Sequence, residues 1–539
     1  MRNASPFRLC EVGVTRVFRL RRSYASVSPV SIDKRRNNDE NLICGAITFR
    51  IHHGAMTPLG CSWPTVPKLI VCWAANFMTE RLTRRTFLGG AAAVARGGAP
   101  PTRPNVLFVS VDDLNPALHC LGNAQVQTPH IDGLASRGVR FRSAYANYAS
   151  CLPSRISFLS GWHPERTGVM TFTPRPRDRQ LKDVVYLPQH FRNNGYTTAR
   201  IDKVFHIGAD EPSCWDVSEE PLGRVTYTPR EIEHQNLASR VLEQGTFPKC
   251  GGEKGNYAVL NAADGELIDG INTRRAGQLL ERLAREARPF FLAVGLRRPH
   301  LPRILPKKYF DLYRPESIQL PPQPPNFDPA TWVSREDHRR IVAHYYAAVT
   351  YMDARAGELL QSLDHVGLRE NTIVVLFGDQ GYALGERDNH YGKGTLGERS
   401  FAVPLIVAEP GRRSGAVSSR VVELLDLYPT LVDLCGLPQP ASGLQGRSLR
   451  PLLRNPRTPW EARALGAWGT KDYQRPGLSL RTERYRYSEK DDGTPFEMFD
   501  YRNDPYEWRN LVGENRWAKE RTRLAALLRT ARARAVAGL

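Results

Sequence analysis

Acidic residues, long apolar runs and paired cysteines are what this chain has least of. Its 55 Asp and Glu face 75 Lys and Arg, a formal net charge of +20 over 539 residues. Such an excess suits a polyanionic ligand, an anionic surface or a nucleic acid, and by itself does not choose among them. Much of it lies at the two ends of the chain, where a solvated basic surface accounts for it. No nucleic-acid recognition motif accompanies the charge, so no nucleic-acid partner is expected. After residue 95 no apolar run approaches the ~18 residues of a membrane span, and no span is expected. The nine cysteines are odd in number, widely spaced and never arranged as C-x-x-C. That argues against a zinc site and against a dense disulfide scaffold, and leaves at least one cysteine unpaired or with another task. Internal repeats and long low-complexity tracts are absent as well.

What remains is an ordinary globular composition, 41% hydrophobic and 24% charged, at a length that suits a large enzyme domain with smaller pieces. Residues 1–77 mix arginine-rich stretches with short apolar runs without a sustained period, and read as a non-native or disordered extension. From Met78 the composition changes. Arg84-Arg85-Thr86-Phe87-Leu88 precedes a weakly apolar, small-residue stretch ending in Ala93-Val94-Ala95. This is the order of parts in a twin-arginine export signal with an A-x-A cleavage site. The expectation is a signal at 78–95, a start at Met78 or at Met1, and export to a periplasmic or extracellular location. A catalytic domain is expected over 100–450, and a C-terminal subdomain with a basic terminal helix over 451–539.

Strands and helices alternate through the larger part. Pro104–Val111, Pro289–Gly295 and Thr372–Phe377 are compact apolar runs, the mark of strands buried on both faces; Tyr196–Ile201 and Val403–Ala408 are further strands. Ile131–Gly138, Leu187–Gly195, Ala276–Arg285, His338–Leu363 and Val421–Leu434 read as helices, and 319–330 as proline-rich loop. Tyr345, Tyr346, Val349 and Met352 fall at helical spacing, as core residues do. This alternation predicts an α/β fold, a mostly parallel central sheet flanked by helices, with a smaller α+β C-terminal piece. That piece has short strands at Arg481–Tyr487 and Phe496–Tyr501 and a helix over Trp517–Ala537. The first central strand runs into Asp112-Asp113 and the last into Gly378-Asp379-Gln380-Gly381, at the edge where ligands of open α/β sheets gather. Oxygen donors of this kind suit calcium or magnesium rather than zinc. A lone Asp-Asp is often only a turn or a helix cap; two such strand ends point to metal-assisted displacement.

Cys151-Leu152-Pro153-Ser154-Arg155, followed by Ser160-Gly161, resembles the signature of the sulfatases, formylglycine-dependent hydrolases of the alkaline-phosphatase-like superfamily. The resemblance runs in order from about Pro104 to Leu511. Thr128-Pro129-His130-Ile131-Asp132 resembles the T-P-N-I-D segment, and Asp500 to Trp508 the D-x-x-x-D-P-x-E stretch. Lys203-Val204-Phe205-His206, Arg298-Pro299-His300-Leu301-Pro302 and Tyr345–Asp353 are most similar to iduronate-2-sulfatase-like enzymes.

The resemblance implies hydrolysis of a sulfate ester, on a sulfated carbohydrate, with Cys151 oxidised to formylglycine by a formylglycine-generating enzyme. A sulfate ester is shielded by negative oxygens, which an enzyme has to neutralise while supplying a good nucleophile. An aldehyde hydrate carries two hydroxyls on one carbon: one attacks sulfur and expels the alcohol, the other drives collapse to the aldehyde and ejects sulfate. By position, Asp112, Asp113, Asp379 and Gln380 hold one divalent metal, calcium before magnesium, completed by the oxygen at residue 151. Arg155 stabilises the hydrate with Lys203 and His206 close by, Lys393 reaches the sulfate oxygens, and His300 protonates the leaving alcohol. Taken singly, these lysines would be solvated surface charges; the joint pattern lifts them above that. Some positions depart from the family. Gln380 stands in place of histidine or asparagine, Tyr382 in place of Trp or Phe in a loop near the sugar, Arg387 in place of the histidine of G-E-H, and Asp202 in place of a glycine. The alternatives are a phosphate or phosphonate ester hydrolase of the same superfamily, and a non-catalytic polyanion-binding protein on a sulfatase scaffold.

Overall fold

The apolar run Asn105–Val111 is buried at every position and forms the strand β1 at the middle of the main sheet. In this computed structural model the described residues are 103–537, apart from 173–175, 179–180, 221–231, 233–236, 248–255, 323, 325–332, 388 and 470–476. The expected extension 1–77 and leader 78–95 lie outside the described residues. The strands that follow β1 are β2 Val139–Tyr145, β3 Thr197–Ile201, β4 Val217–Glu219, β5 Val241–Thr246, β6 Asn256–Leu260, β7 Phe290–Leu296, β8 Arg303–Pro306 and β9 Thr372–Gly378. After them come β10 Ala383–Leu384, β11 Tyr391–Gly392, β12 Ala402–Ala408, β13 Ala416–Glu423, β14 Arg463–Trp468, β15 Gly477–Thr482, β16 Tyr485–Glu489 and β17 Pro495–Asp500.

The main sheet has the order β13-β2-β12-β9-β1-β7-β3-β4. Its pairs are parallel except those made by β12, which runs against β2 and β9. The expected α/β architecture is therefore present. Alternation along β1 sends Leu107, Val109 and Val111 into one core and Val106 and Phe108 into the other. The first core is covered by the helices Ile268–Leu283 and Arg335–His365, the second by Cys151–Ser160, Leu187–Asn193 and Leu427–Leu434. The long helix starts at Ser334, whose hydroxyl accepts the Asp337 N–H, with Glu336 and Asp337 in the first turn facing the dipole.

One expected helix is divided. From the sequence a single helix is expected over Val421–Leu434. Instead Val421–Glu423 completes β13, paired in parallel with β2, and the α-helix covers Leu427–Leu434. β-Branched valines are stiff and fit a pleated edge, and sheet pairing overrides the short helical period.

Strand register decides where the chemistry goes. Val111 of β1 lies opposite Leu296 of β7 and Gly378 of β9, and Ile201 of β3 lies opposite Val294 of β7. Adjacent parallel strands thus release Asp112-Asp113, Asp379-Gln380, Arg297–His300 and Asp202–His206 at the same carboxyl edge. Beyond it stand the small sheet β5-β6-β8 and the antiparallel sheet β14-β15-β16-β17. The helix Ala518–Ala537 buries Leu524, Leu528, Ala531 and Ala535 against the latter. No helix of the described residues is long and apolar enough to cross a membrane.

Candidate active site

The helix Cys151–Ser160 begins at the candidate nucleophile and is buried at every position. Ser150 before it is extended (φ −160°, ψ 148°), so the chain turns into the helix at Cys151, at the positive end of the helix dipole. One turn on, Arg155 lies on the same face and is fully buried. Its Nε donates to Asp379 Oδ2 at 2.8 Å, Nη2 reaches Asp112 Oδ1 at 3.5 Å, and Nη1 donates to the carbonyls of Lys203 (2.6 Å) and Val204 (3.0 Å). This guanidinium ties the cysteine helix to the ends of β1, β3 and β9. The Ser154 hydroxyl adds a bond to the Asp379 carbonyl at 2.5 Å.

The acids meet cations from separate loops. Lys203 Nζ lies 2.5 Å from Asp112 Oδ2, with both side chains shut off from solvent. Lys393 Nζ lies 2.5 Å from Asp113 Oδ1, the same oxygen that accepts the Gln380 amide. Asp379 Oδ1 accepts the backbone N–H groups of Asp113 (3.1 Å) and Gln380 (3.0 Å). His300 Nδ1 faces the Leu301 carbonyl at 2.5 Å, so that nitrogen carries the hydrogen; Nε2 points to Asp113 Oδ2 at 3.7 Å.

Burial and charge pull these groups in different directions. Burial would raise Asp112, but Lys203, His300, Arg155 and Lys393 together hold it well below the usual carboxylate range. In Asp113 burial prevails over Lys393 and raises the carboxyl, and in Asp379 burial prevails over Arg155 and raises it to about 7. Burial also pushes the Cys151 thiol up, against Lys203 and Lys393. A thiol so disposed is a poor nucleophile as it stands. His206 is lowered to about 3 by burial, then by Lys203, and is neutral; its Nδ1 faces the Ile207 carbonyl at 3.0 Å.

Asp113 Oδ2 and Gln380 Oε1 are buried atoms without a hydrogen bond. Asp112, Asp113 and His300 each bring a ligand atom within 4.8 Å of the others. Carboxylates that burial pushes toward protonation regain their charge beside a divalent ion, and carboxylate and amide oxygens are hard donors. The residues fit such an ion. His300, placed by the sequence with the leaving group only, also stands within this cluster.

The structure thus brings Asp112, Asp113, Arg155, Lys203, His300, Asp379, Gln380 and Lys393 into one network at the sheet edge. The Cys151 thiol lies within the electrostatic reach of Lys203, Lys393, Asp112 and Asp379, and His206 within that of Lys203 and Asp112. None of Cys120, Cys151, Cys214 and Cys435 is in a disulfide. Sequence reasoning missed the role of Tyr345. Its hydroxyl donates to the Asp113 carbonyl at 2.8 Å and accepts the Asn115 N–H at 2.9 Å; helical spacing reveals a buried ring but not its polar end. Tyr382 is buried and stacked on Tyr345, centroids 5.5 Å apart at 17°. Arg387 turns away from the acids to Glu497 and Glu507.

Residues 104–437 match the family model described as Sulfatase, and residues 385–534 the one described as N-sulphoglucosamine sulphohydrolase, C-terminal. A protein named Sulfatase from Formosa agariphila is 32% identical over 455 residues, covering 79% of this chain and 86% of its own. Iduronate 2-sulfatase of Homo sapiens is 32% identical over 482 residues, covering 71% of this chain and 84% of its own. The crystal structure of the phosphonate monoester hydrolase of Agrobacterium radiobacter shares the fold with a TM-score of 0.67 at 22% identity, covering 80% of this chain and 96% of its own. By these matches the chain belongs to the sulfatase family of sulfuric ester hydrolases.

Proposed function

We propose that the protein hydrolyses a sulfate ester on a sulfated carbohydrate, with residue 151 as nucleophile precursor. The observation that carries this reading is the convergence of the Cys151–Arg155 turn, the acids of β1 and β9, and Lys203, Lys393 and His300 at one buried edge. A carbohydrate is supported by the resemblance to iduronate 2-sulfatase and by the net positive charge.

A divalent cation, calcium before magnesium, held by Asp112, Asp113, Asp379, Gln380 and the oxygen at residue 151, would supply Lewis acidity toward the ester's sulfate oxygens. Oxidised to formylglycine by a generating enzyme, residue 151 would supply a hydroxyl that is nucleophilic toward sulfur and a second hydroxyl that drives sulfate release. The protein's own side chains do the rest. Arg155, locked by carboxylate and carbonyl partners, fixes the nucleophile's helix. Lys393, at 11% exposure more open than the fully buried Lys203 and Arg155, binds sulfate oxygens. Lys203, paired with Asp112, lies beside residue 151, and the neutral His206 stands close by. His300 is oriented through Nδ1 by the Leu301 carbonyl, and its Nε2, on the side of Asp113, delivers a proton to the departing alkoxide when the ring is protonated. The Arg84-Arg85 leader would export the protein.

The test is mass spectrometry of the Cys151 peptide from the native host, together with turnover of matched sulfate and phosphate esters. An aldehyde or its hydrate and a preference for sulfate are expected. An unmodified thiol, or a clear preference for phosphate or phosphonate esters, would overturn the proposal.

A further inference from the structure

We infer that Asp202 is a positioning residue: paired with Arg297, it holds the loop bearing Lys203 and His206 against the loop bearing His300. The inference rests on the reading of those residues as site groups and extends it to a pair that has no direct part in the chemistry.

Asp202 has a left-handed backbone, φ 57°, which costs an L-residue energy and persists where the surroundings enforce it. Its carboxylate is 2% exposed and takes a two-point grip from Arg297, Nε on Oδ2 and Nη2 on Oδ1, each at 2.7 Å. The buried Asn272 amide adds a third bond to Oδ2 at 2.5 Å. The Asp202 carbonyl accepts Arg200 Nη1 at 2.7 Å and the Val204 N–H at 2.9 Å. On the other side, Asp269, fully buried, accepts the backbone N–H of Arg297 at 2.7 Å and of Arg298 at 2.9 Å.

Geometry explains why this bridge matters. The β3–β7 ladder ends with Ile201 opposite Val294, so backbone pairing no longer aligns the chains where the site residues begin. Asp202 and Arg297 are the residues that leave the two strands and enter the two site loops, and their fork-to-carboxylate bond continues the alignment past the sheet. The Lys203 turn also packs directly on the end of β7: a Cβ on Gly295 would stand 2.3 Å from the Lys203 oxygen. That oxygen accepts from Arg155. A shift of the Asp202 turn therefore moves Lys203 and the anchor of Arg155 together, relative to His300.

The experiment compares wild type with Asp202→Asn, Arg297→Gln and the double variant, well below each melting temperature. Two quantities are read: inorganic sulfate binding by calorimetry, and kcat and KM on a sulfate ester. Asp202→Asn is expected to lower kcat by about 10²-fold with a much smaller change in KM, as a displacement on the order of 1 Å does. It should also weaken sulfate binding, and the double variant should lose no more than the worse single one. Folded single variants that keep kcat and sulfate affinity within about twofold while melting earlier, or losses that add in the double variant, would overturn the inference. Should Asp202→Asn fail to fold, Arg297→Lys, which keeps the charge and loses the fork, is read by the same criteria. Wild-type protein that binds sulfate but cleaves no sulfate ester would overturn the proposed activity instead, and the binding arm alone then decides this inference.

Discussion

Two buried ionic clusters share the segment between Asp379 and Glu398, and they are built differently. The first is the centre at the sheet edge. The second joins this segment to the C-terminal sheet. There Arg486, 1% exposed, donates to Glu507, to Glu497 at 2.9 Å, to the Ser488 hydroxyl at 2.6 Å and to the Leu396 carbonyl at 2.9 Å. Arg387 spans Glu497 at 2.6 Å and Glu507 at 3.2 Å, and the Tyr501 hydroxyl donates to Glu507 at 2.5 Å. Both carboxylates have donors on both oxygens. Burial alone would raise Glu507, but Arg486 overrides it and brings the carboxyl down to about 2. At the centre the balance is reversed: Asp113 and Asp379 are pushed up, and Asp113 Oδ2 and Gln380 Oε1 lack hydrogen bonds. A cluster in which donors match acceptors holds the fold together. One with acceptors to spare is arranged for a cation and a substrate anion.

Variants can separate these two kinds of cluster. Cys151→Ala is expected to reduce sulfate-ester turnover by ~10⁴-fold or more, the scale of losing a nucleophile. Its unfolding free energy, by urea titration, should stay within about 1 kcal/mol of wild type. Glu507→Ala should do the opposite. It leaves the buried Arg486 and the half-buried Arg387 short of a partner, and breaking a buried pair such as Arg486–Glu507 costs about 3–5 kcal/mol of stability. Turnover per folded molecule should fall by less than about tenfold, because no contact to the sheet edge is removed. A Glu507→Ala protein that is stable but inactive would erase the distinction.

Proton linkage gives Glu507 of one cluster and Asp379 of the other opposite signs. Glu507 is depressed from 4.5 to about 2 in the folded protein, so the folded state binds fewer protons than the unfolded one in that window. Its contribution is complete above pH ~4.5 and is lost as pH falls toward ~2, about 3 kcal/mol in all. Asp379 is raised from 3.8 to about 7, so the folded state binds more protons there, and stability declines as pH rises from ~4 through ~7. Urea titrations across pH should show Glu507→Gln removing the acid limb and Asp379→Asn removing the decline toward neutrality. Saturating calcium should flatten only the second. Equal effects of calcium on both limbs would contradict the assignment.

The contrast also marks what was legible in the sequence. β1, β7 and β9 announce themselves as unbroken apolar runs, and the acids follow them directly, so the centre can be read from strand ends and one cysteine motif. β2 is hard to see in the sequence although Val139, Phe141 and Ser143 alternate with arginines, because Arg140 and Arg142 dilute its apolar content. The edge strand β13 resembles a helix start in sequence, because apolar residues at short spacing satisfy both periods until a partner strand is known. The second cluster was hidden altogether. Arg387 and Glu507 are 120 positions apart, and Asp202 and Arg297 are 95 apart. An arginine or a glutamate alone in a sequence looks like surface; only the fold supplies its partner. The departures at Asp202 and Arg387 were visible as unexpected residues; Asp202 belongs to a buried ion pair and Arg387 to a half-buried one.

The smallest expected effects sharpen the comparison at the cation. Calcium at about 100 times its Kd should stabilise wild type by ~2.7 kcal/mol, and Asp113→Asn should abolish most of that gain. Gln380 contributes less and tests the geometry more finely. Its amide nitrogen donates to Asp113 Oδ1, which leaves Oε1 as the end without a hydrogen bond; the reverse orientation would set two oxygens against each other. Gln380→Asn keeps the amide but draws it back by one methylene, so it can satisfy Asp113 or reach the cation, not both. Calcium affinity measured by calorimetry should weaken about tenfold, or ~1.4 kcal/mol. Stability without added calcium should hardly change, because the lost reach belongs to an acceptor that has no partner within the protein. A Gln380→Asn protein that binds calcium as tightly as wild type would remove Gln380 from the ligand set, leaving Asp112, Asp113, Asp379 and the oxygen at residue 151.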